Sequence, residues 1–315
     1  MSELSIFPAV LPVFGVIAIG WAMRWLNWLS AEADQSLLRI NINLLFPCLV
    51  LHETLGNPAL DRWDNLLMAP LVGLLTVVAG IWISRWCAAP LGIRDDCEAR
   101  TFAVTTGIYN YGYIPLPLSM LLFPGTGTAG VLFVHNVGVE IAMWTLGVDM
   151  LSGGRGKRDW KRFLNVPLFA VLAALLLNLV GAGNHLPVPM VTGLKWLGQC
   201  AIPMSLILIG AVVFDHQKEF YSRSAWRVIG GAVLLRMLLF PILFLVLERF
   251  LPASQDLKRV MVLELAMPAA VFPIVMARHY GANPATAIQV VLGTSLVGFF
   301  TIPLWIRFGL HWAGL

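Results

Sequence analysis

The sequence predicts an all-α polytopic membrane protein: ten transmembrane helices in a 5+5 inverted repeat, with the fourth and ninth helices broken and crossing. Three observations predict this: composition, the spacing of apolar runs, and a proline pattern that recurs half a chain later. Of 315 residues, 58% are hydrophobic and 12% charged, and the mean hydropathy is +0.80, far outside the soluble average. The apolar residues form ten runs of about 20, the length that crosses a ~30 Å hydrocarbon core as helix. Little chain is left between them, so there is no room for a soluble domain.

The runs cover 6–26, 37–55, 66–87, 101–123, 128–150, 166–182, 191–214, 225–248, 258–280 and 284–308. With the N-terminus outside, the inner loops carry fourteen lysines and arginines and the outer segments six, while Arg236 lies within span eight. That excess places both termini outside the cytoplasm. The net charge of +4 therefore reflects one membrane face and implies no nucleic acid. Cys48, Cys87, Cys97 and Cys200 lack metal-site spacing and read as small apolar residues. Glu3, with no basic residue before the first run, argues against a cleaved signal peptide.

In chain order, Asn41 and Asn43 precede Pro47 in span two, where they either face a ligand or bond to a neighbouring helix. Span four holds Gly107 to Pro117, Gly-Ile-Tyr-Asn-Tyr-Gly-Tyr-Ile-Pro-Leu-Pro. Two prolines and two glycines break any helix there, and Asn110 with Tyr109, Tyr111 and Tyr113 brings polar atoms to mid-membrane depth. Broken backbone at that depth is tolerated only around a cavity or inside protein. This makes Tyr109, Asn110, Tyr111, Gly112 and Pro115 candidate substrate-binding residues, with one or two of the tyrosines enough to line the cavity. In span five, Asn136 and Glu140 share a helix face that Trp144 continues, whereas His135 points away and reads as packing. Asn136 and Glu140 form either a cation or proton site or an interhelical network.

The basic loop 152–165 separates a first unit, 1–151, from a second, 166–315. Pro8 and Pro167 are 159 apart, Pro47 and Pro203 156, and Pro115 and Pro273 158. A near-constant offset suggests duplication, and an odd number of spans per copy inverts the second copy. Arg236 in span eight either snorkels to an interface or meets a carboxylate such as Glu264 or Glu140. Span nine contains Glu264-Leu-Ala-Met-Pro268-Ala-Ala-Val-Phe-Pro273, a second central break. Glu264 within a span is the strongest ion-coupling candidate. Half-helix N-termini meeting at a crossing favour an anion, and freed carbonyls favour a cation.

Five segments in order resemble the auxin efflux carrier family: Asn43-Leu-Leu-Phe-Pro47, Asn110-Tyr-Gly-Tyr-Ile-Pro-Leu-Pro117, Ile202-Pro-Met-Ser-Leu-Ile-Leu-Ile-Gly210, Met267-Pro-Ala-Ala and Tyr280-Gly-Ala-Asn-Pro-Ala-Thr-Ala-Ile-Gln-Val-Val. The resemblance spans nearly the whole chain and implies a prokaryotic member. It implies a scaffold of helices one, two, six and seven, a transport unit of helices three to five and eight to ten, and transport of organic acids. Carried over, Asn110 is the crossover asparagine that helps hold a carboxylate; Pro268 and Asn43 join the candidate substrate site. The pattern departs at Ile114, where a glycine is expected.

No phosphate loop, metal-ligand pair or nucleophile motif appears, so the chain reads as a non-enzyme without a cofactor. Transport is expected to be secondary, by alternating access, with Glu264, Glu140 and Asn136 linking it to protons or sodium. The alternatives are a channel-like or uncoupled facilitator and a non-transporting membrane ligand sensor. Expected partners are a small organic acid, membrane lipid and, at the scaffold helices, a second copy of the chain. The expected location is the inner membrane of a bacterium.

Overall fold

The computed structural model describes residues 6–154, 166–181, 185–217 and 225–315. Among these residues the regular elements are helices, with one isolated antiparallel bridge between Tyr109 and Ala269. The helices are α1 (Ile6–Trp25), α2 (31–54), α3 (Trp63–Ala88), α4a (Asp96–Gly107), α4b (Pro115–Leu122), α5 (Thr128–Leu151), α6 (Val166–Leu179), α7 (Val188–His216), α8 (Ala225–Phe250), α9a (Gln255–Leu265), α9b (Phe272–His279) and α10 (Pro284–Ala313). Most of the expected basic linker, 155–165, lies outside the described residues.

Among the described residues, six helices (α1, α3, α5, α7, α8 and α10) are long and apolar enough to cross a membrane, as a multi-pass membrane protein requires. The rest are short or interrupted: α6 has 14 residues, α2 opens on polar residues, and α4 and α9 are broken. Several helices start earlier than their apolar runs. Asp95 caps α4a by accepting the Glu98 amide, and Ser254 caps α9a by accepting that of Leu257. Such caps satisfy first-turn donors with polar side chains, which an apolar count leaves out.

Among the described residues, widened π turns interrupt the long helices at Asn41–Leu45, Met143–Gly147 and Leu235–Leu239. The first and third lead into Pro47 and Pro241. Because Pro241 has no N–H, the Met237 carbonyl one turn earlier accepts from Trp305 Nε1 of α10 at 2.8 Å instead.

Packing follows two themes. Helix α1 runs along α7, and α2 lies on α7 and α6; separately, α3 packs on α4a and α5, α10 on α8 and α4a, and α9a on α5, α8 and α10. Small residues let backbones touch, the usual means of association where lipid supplies no hydrophobic drive between helices. A Cβ at Gly210 would lie 2.0 Å from Ile17 O of α1, and one at Gly138 of α5 only 1.7 Å from Pro70 O of α3. Gly138→Leu is therefore expected to destabilise the purified protein by about 4 kcal/mol or more, or to prevent its recovery. Gly193→Leu, where a Cβ meets nothing within 4 Å, should leave the thermal midpoint unchanged. Equal midpoints for the two variants would contradict the α3–α5 contact.

Candidate functional site

The two helix breaks bond to each other. Asn110 N donates to Pro268 O at 2.7 Å and Ala270 N to Ile108 O at 2.9 Å, either side of the Tyr109–Ala269 pairing. This short ladder replaces helical hydrogen bonds that both segments give up. Around it, Thr294 Oγ1 of α10 accepts from Ala269 N at 3.1 Å, and Arg236 Nε of α8 donates to Met267 O at 3.0 Å. Backbone groups freed away from water are thus met by protein. Gly107 ends α4a where a Cβ would lie 2.4 Å from Ile81 N. Pro115 opens α4b at a position that needs no amide donor.

Beside the ladder lies a chamber of about 250 Å³, just below the ~300–1,000 Å³ common for ligand pockets and sized for a small metabolite. Its walls are Asn41, Ile42 and Phe46 of α2, Asn110 to Tyr113 of the first break, Glu140, Met143 and Trp144 of α5, Pro167 of α6, and Ala270 to Phe272 of the second break. Helix α9b begins in this wall at Phe272, and α4b begins two residues beyond Tyr113, which brings the positive ends of two helix dipoles to or next to the chamber; the α4b amides of Leu116 and Leu118 bond to Gly112 O and Ile114 O.

Several polar groups in the wall have no protein partner. Asn110 is 4% exposed; its Oδ1 accepts from Ile114 N at 3.3 Å, and among the described residues no hydrogen bond uses its Nδ2. Trp144 Nε1 and Asn41 Oδ1 are buried without a partner among those residues. Asn41 Nδ2 donates to Ser205 Oγ of α7 at 2.5 Å, which fixes the side chain's orientation. Leaving such groups unpaired costs about 1–3 kcal/mol each, so a ligand that meets them gains correspondingly.

The expected residues divide into three groups. Asn110, Tyr111, Gly112 and Glu140 line the chamber. Asn136 stands behind it: its Nδ2 donates to Tyr111 O at 2.6 Å, and it lines a small neighbouring pocket that shares Phe46, Tyr111, Glu140 and Pro167 with the chamber. The others lie elsewhere. Tyr109 is fully buried, with its hydroxyl 2.9 Å from Thr76 Oγ1 and 3.3 Å from His135 Nε2 and its ring edge-on to Phe244. In the extended backbone at the ladder, neighbouring side chains point to opposite faces, so when Asn110 faces the chamber Tyr109 faces the core. Pro115 and Pro268 shape the breaks without lining the chamber.

Asn43 lies on the exposed side of α2 and donates to Arg39 O at 2.9 Å; two residues earlier, Asn41 reaches the chamber in its place. Ile114 packs into the apolar core. Glu264 is fully buried behind the ladder, and neither carboxylate oxygen has a hydrogen-bond partner among the described residues. Arg236 is not at an interface: it is 1% exposed and bonds backbone carbonyls rather than a carboxylate. Ile42 and Met143 are wall residues without a signal in the sequence, whereas Trp144 and Phe46 carried an indirect one. Trp144 lies on the Asn136–Glu140 face, and Phe46 beside Pro47 in a recognisable motif.

Apolar helices, two mutually bonded breaks and a polar-walled chamber define a membrane-embedded protein built around a space for a small solute. The chain belongs to the membrane transport protein family, whose model matches residues 5–160 and 155–306; this is the auxin efflux carrier family that the five motifs resemble. It is similar to an uncharacterized transporter of Methanothermobacter thermautotrophicus, 25% identical over 300 residues that cover 94% of this chain and 96% of the relative.

Proposed function

We propose that this chain is a secondary active transporter of the bacterial inner membrane that moves a small organic anion by alternating access, coupled to protons or sodium. The observation that carries the reading is the pair of donors unpartnered among the described residues, Asn110 Nδ2 and the buried Trp144 Nε1, at one chamber with the start of α9b in its wall. Donors and positive helix ends favour a carboxylate. Asn41 Oδ1 suits a hydroxyl or a protonated acid on the same substrate. Tyr111 and Gly112 shape the wall, Pro115 and Pro268 hold the breaks open, and Glu264, Glu140 and Asn136 are the ion-coupling candidates.

The packing supports a scaffold of α1, α2, α6 and α7 against a transport unit formed by the remaining helices, with the chamber between them. An inverted repeat is supported by matching landmarks: the caps Asp95 and Ser254 lie 159 residues apart, and each opens a broken helix. In this reading both termini lie outside the cytoplasm, on the excess of basic residues in the inner loops, and a second copy would dock on the scaffold.

Thermal melting of the purified protein across a panel of mono- and dicarboxylates, amines and neutral sugars tests the substrate class. At least one small carboxylate is expected to raise the midpoint saturably. Stabilisation by amines or sugars with no response to any carboxylate would contradict the assignment.

A further inference from the structure

The second break leaves Glu264 O without the usual partner one turn on, since Pro268 has no N–H, so that it accepts from Met267 N of the main chain at 3.2 Å, and the side chain of Glu264 is itself fully buried. Carbonyls freed by an unwound helix, together with a carboxylate, form a ligand set that transporters offer to sodium. In this chain a side chain already holds those carbonyls. Arg236 donates from Nε to Met267 O at 3.0 Å and from a terminal nitrogen to Glu264 O at 3.4 Å. Its guanidinium lies 5.1 Å from the ring centre of Tyr109, 5.3 Å from that of Phe240 and 5.8 Å from that of Phe244. The widened turn Leu235–Leu239 carries it, a distortion often found at functional positions. An arginine near the middle of an apolar helix ordinarily snorkels to water; this one is retained by two carbonyls and three aromatic rings.

We propose that Arg236 is a built-in cation that takes the place of a coupling metal ion at the crossover. The proposal rests on the transporter reading and sharpens its coupling step. A sodium ion beside Glu264 would have to share the same carbonyls with the guanidinium, and two like charges held that close inside protein repel strongly. The positive charge that a metal would bring to the crossover is thus fixed in the chain, one residue behind Asn110 through its contact with Tyr109.

The test compares thermal midpoints of wild type, Arg236→Ala and Arg236→Lys in sodium against choline chloride at constant ionic strength. A second arm adds guanidinium chloride at low millimolar levels, far below denaturing concentrations. Wild type should melt at the same temperature in sodium and choline. Arg236→Ala should melt lower and gain saturable stabilisation by guanidinium and by sodium, and this gain should vanish in the Arg236→Ala, Glu264→Gln double variant. Sodium stabilisation of the wild type that Glu264→Gln abolishes overturns the proposal; so does a folded Arg236→Ala indifferent to both cations. Where Arg236→Ala cannot be purified, Arg236→Lys decides: its ammonium should keep it indifferent to sodium, and a saturable sodium response overturns the proposal. The readout needs no substrate, so these failures leave the transport assignment untouched, whereas loss of every carboxylate response in the melting panel counts against that assignment alone.

Discussion

Asn110→Ala should weaken substrate binding by about 10- to 150-fold, the equivalent of losing a hydrogen bond worth about 1.5–3 kcal/mol to a charged group. The crossover should survive, because the bond from Asn110 to Pro268 O comes from the main chain. The side chain's other bond, Oδ1 to Ile114 N, resembles a helix cap, and losing it should cost about 1 kcal/mol of stability. The variant should therefore purify and melt nearly as wild type while losing the stabilisation that the best carboxylate gives. Tyr109→Phe is the matching control. It removes a hydroxyl bonded to Thr76 and His135 on the core side, so substrate affinity should be unchanged. Full affinity in Asn110→Ala, or an equal loss in Tyr109→Phe, would remove Asn110 from the site.

Glu264→Gln should flatten the pH dependence of transport while leaving substrate binding in place. The side chain is fully buried and its carboxylate has no hydrogen bond among the described residues; an ionised carboxylate in that condition is costly unless a nearby charge offsets it. Charged and titratable groups on two packed elements act on it, Arg236 from α8 and Tyr109 and Tyr111 from the first break; His135 of α5 lies beyond, against the Tyr109 hydroxyl. With Glu264 ionised, its charge cancels that of Arg236; a proton on Glu264 leaves the guanidinium uncompensated beside the anion chamber. Proton and anion binding then favour each other reciprocally. Glutamine keeps the shape of the protonated acid and removes the titration. Transport rates measured from pH 5 to 8 should vary in wild type and stay level in the variant, and identical profiles would exclude Glu264 from coupling.

The positions of both breaks were legible in the sequence, because proline and glycine act locally whatever surrounds them. Asn110 was legible for the same reason, as the polar residue at the centre of the first break. The direction of the tyrosines was not: in broken backbone, helical spacing no longer says which side chain faces where, and Tyr109 faces the core while Tyr111 faces the chamber. Which of Asn41 and Asn43 faces the chamber was not legible either, since the widened turn Asn41–Leu45 departs from regular helical spacing. The partners of Arg236 were hidden more deeply, since they are main-chain carbonyls exposed only when a different helix, about thirty residues later in the chain, breaks. Glu264 was visible as a misplaced charge, whereas its position behind the ladder follows from how α9a packs on α5, α8 and α10.

Solute counterflow tests alternating access at the crossover most directly. Proteoliposomes are preloaded with the carboxylate that best stabilises the protein, and entry of the same labelled compound is followed without an ion gradient. A transient accumulation above equilibrium is expected for wild type and should be lost in Asn110→Ala at the same substrate concentration. Labelled compound that only approaches equilibrium, with a conductance in planar bilayers, would show an open pore and contradict alternating access.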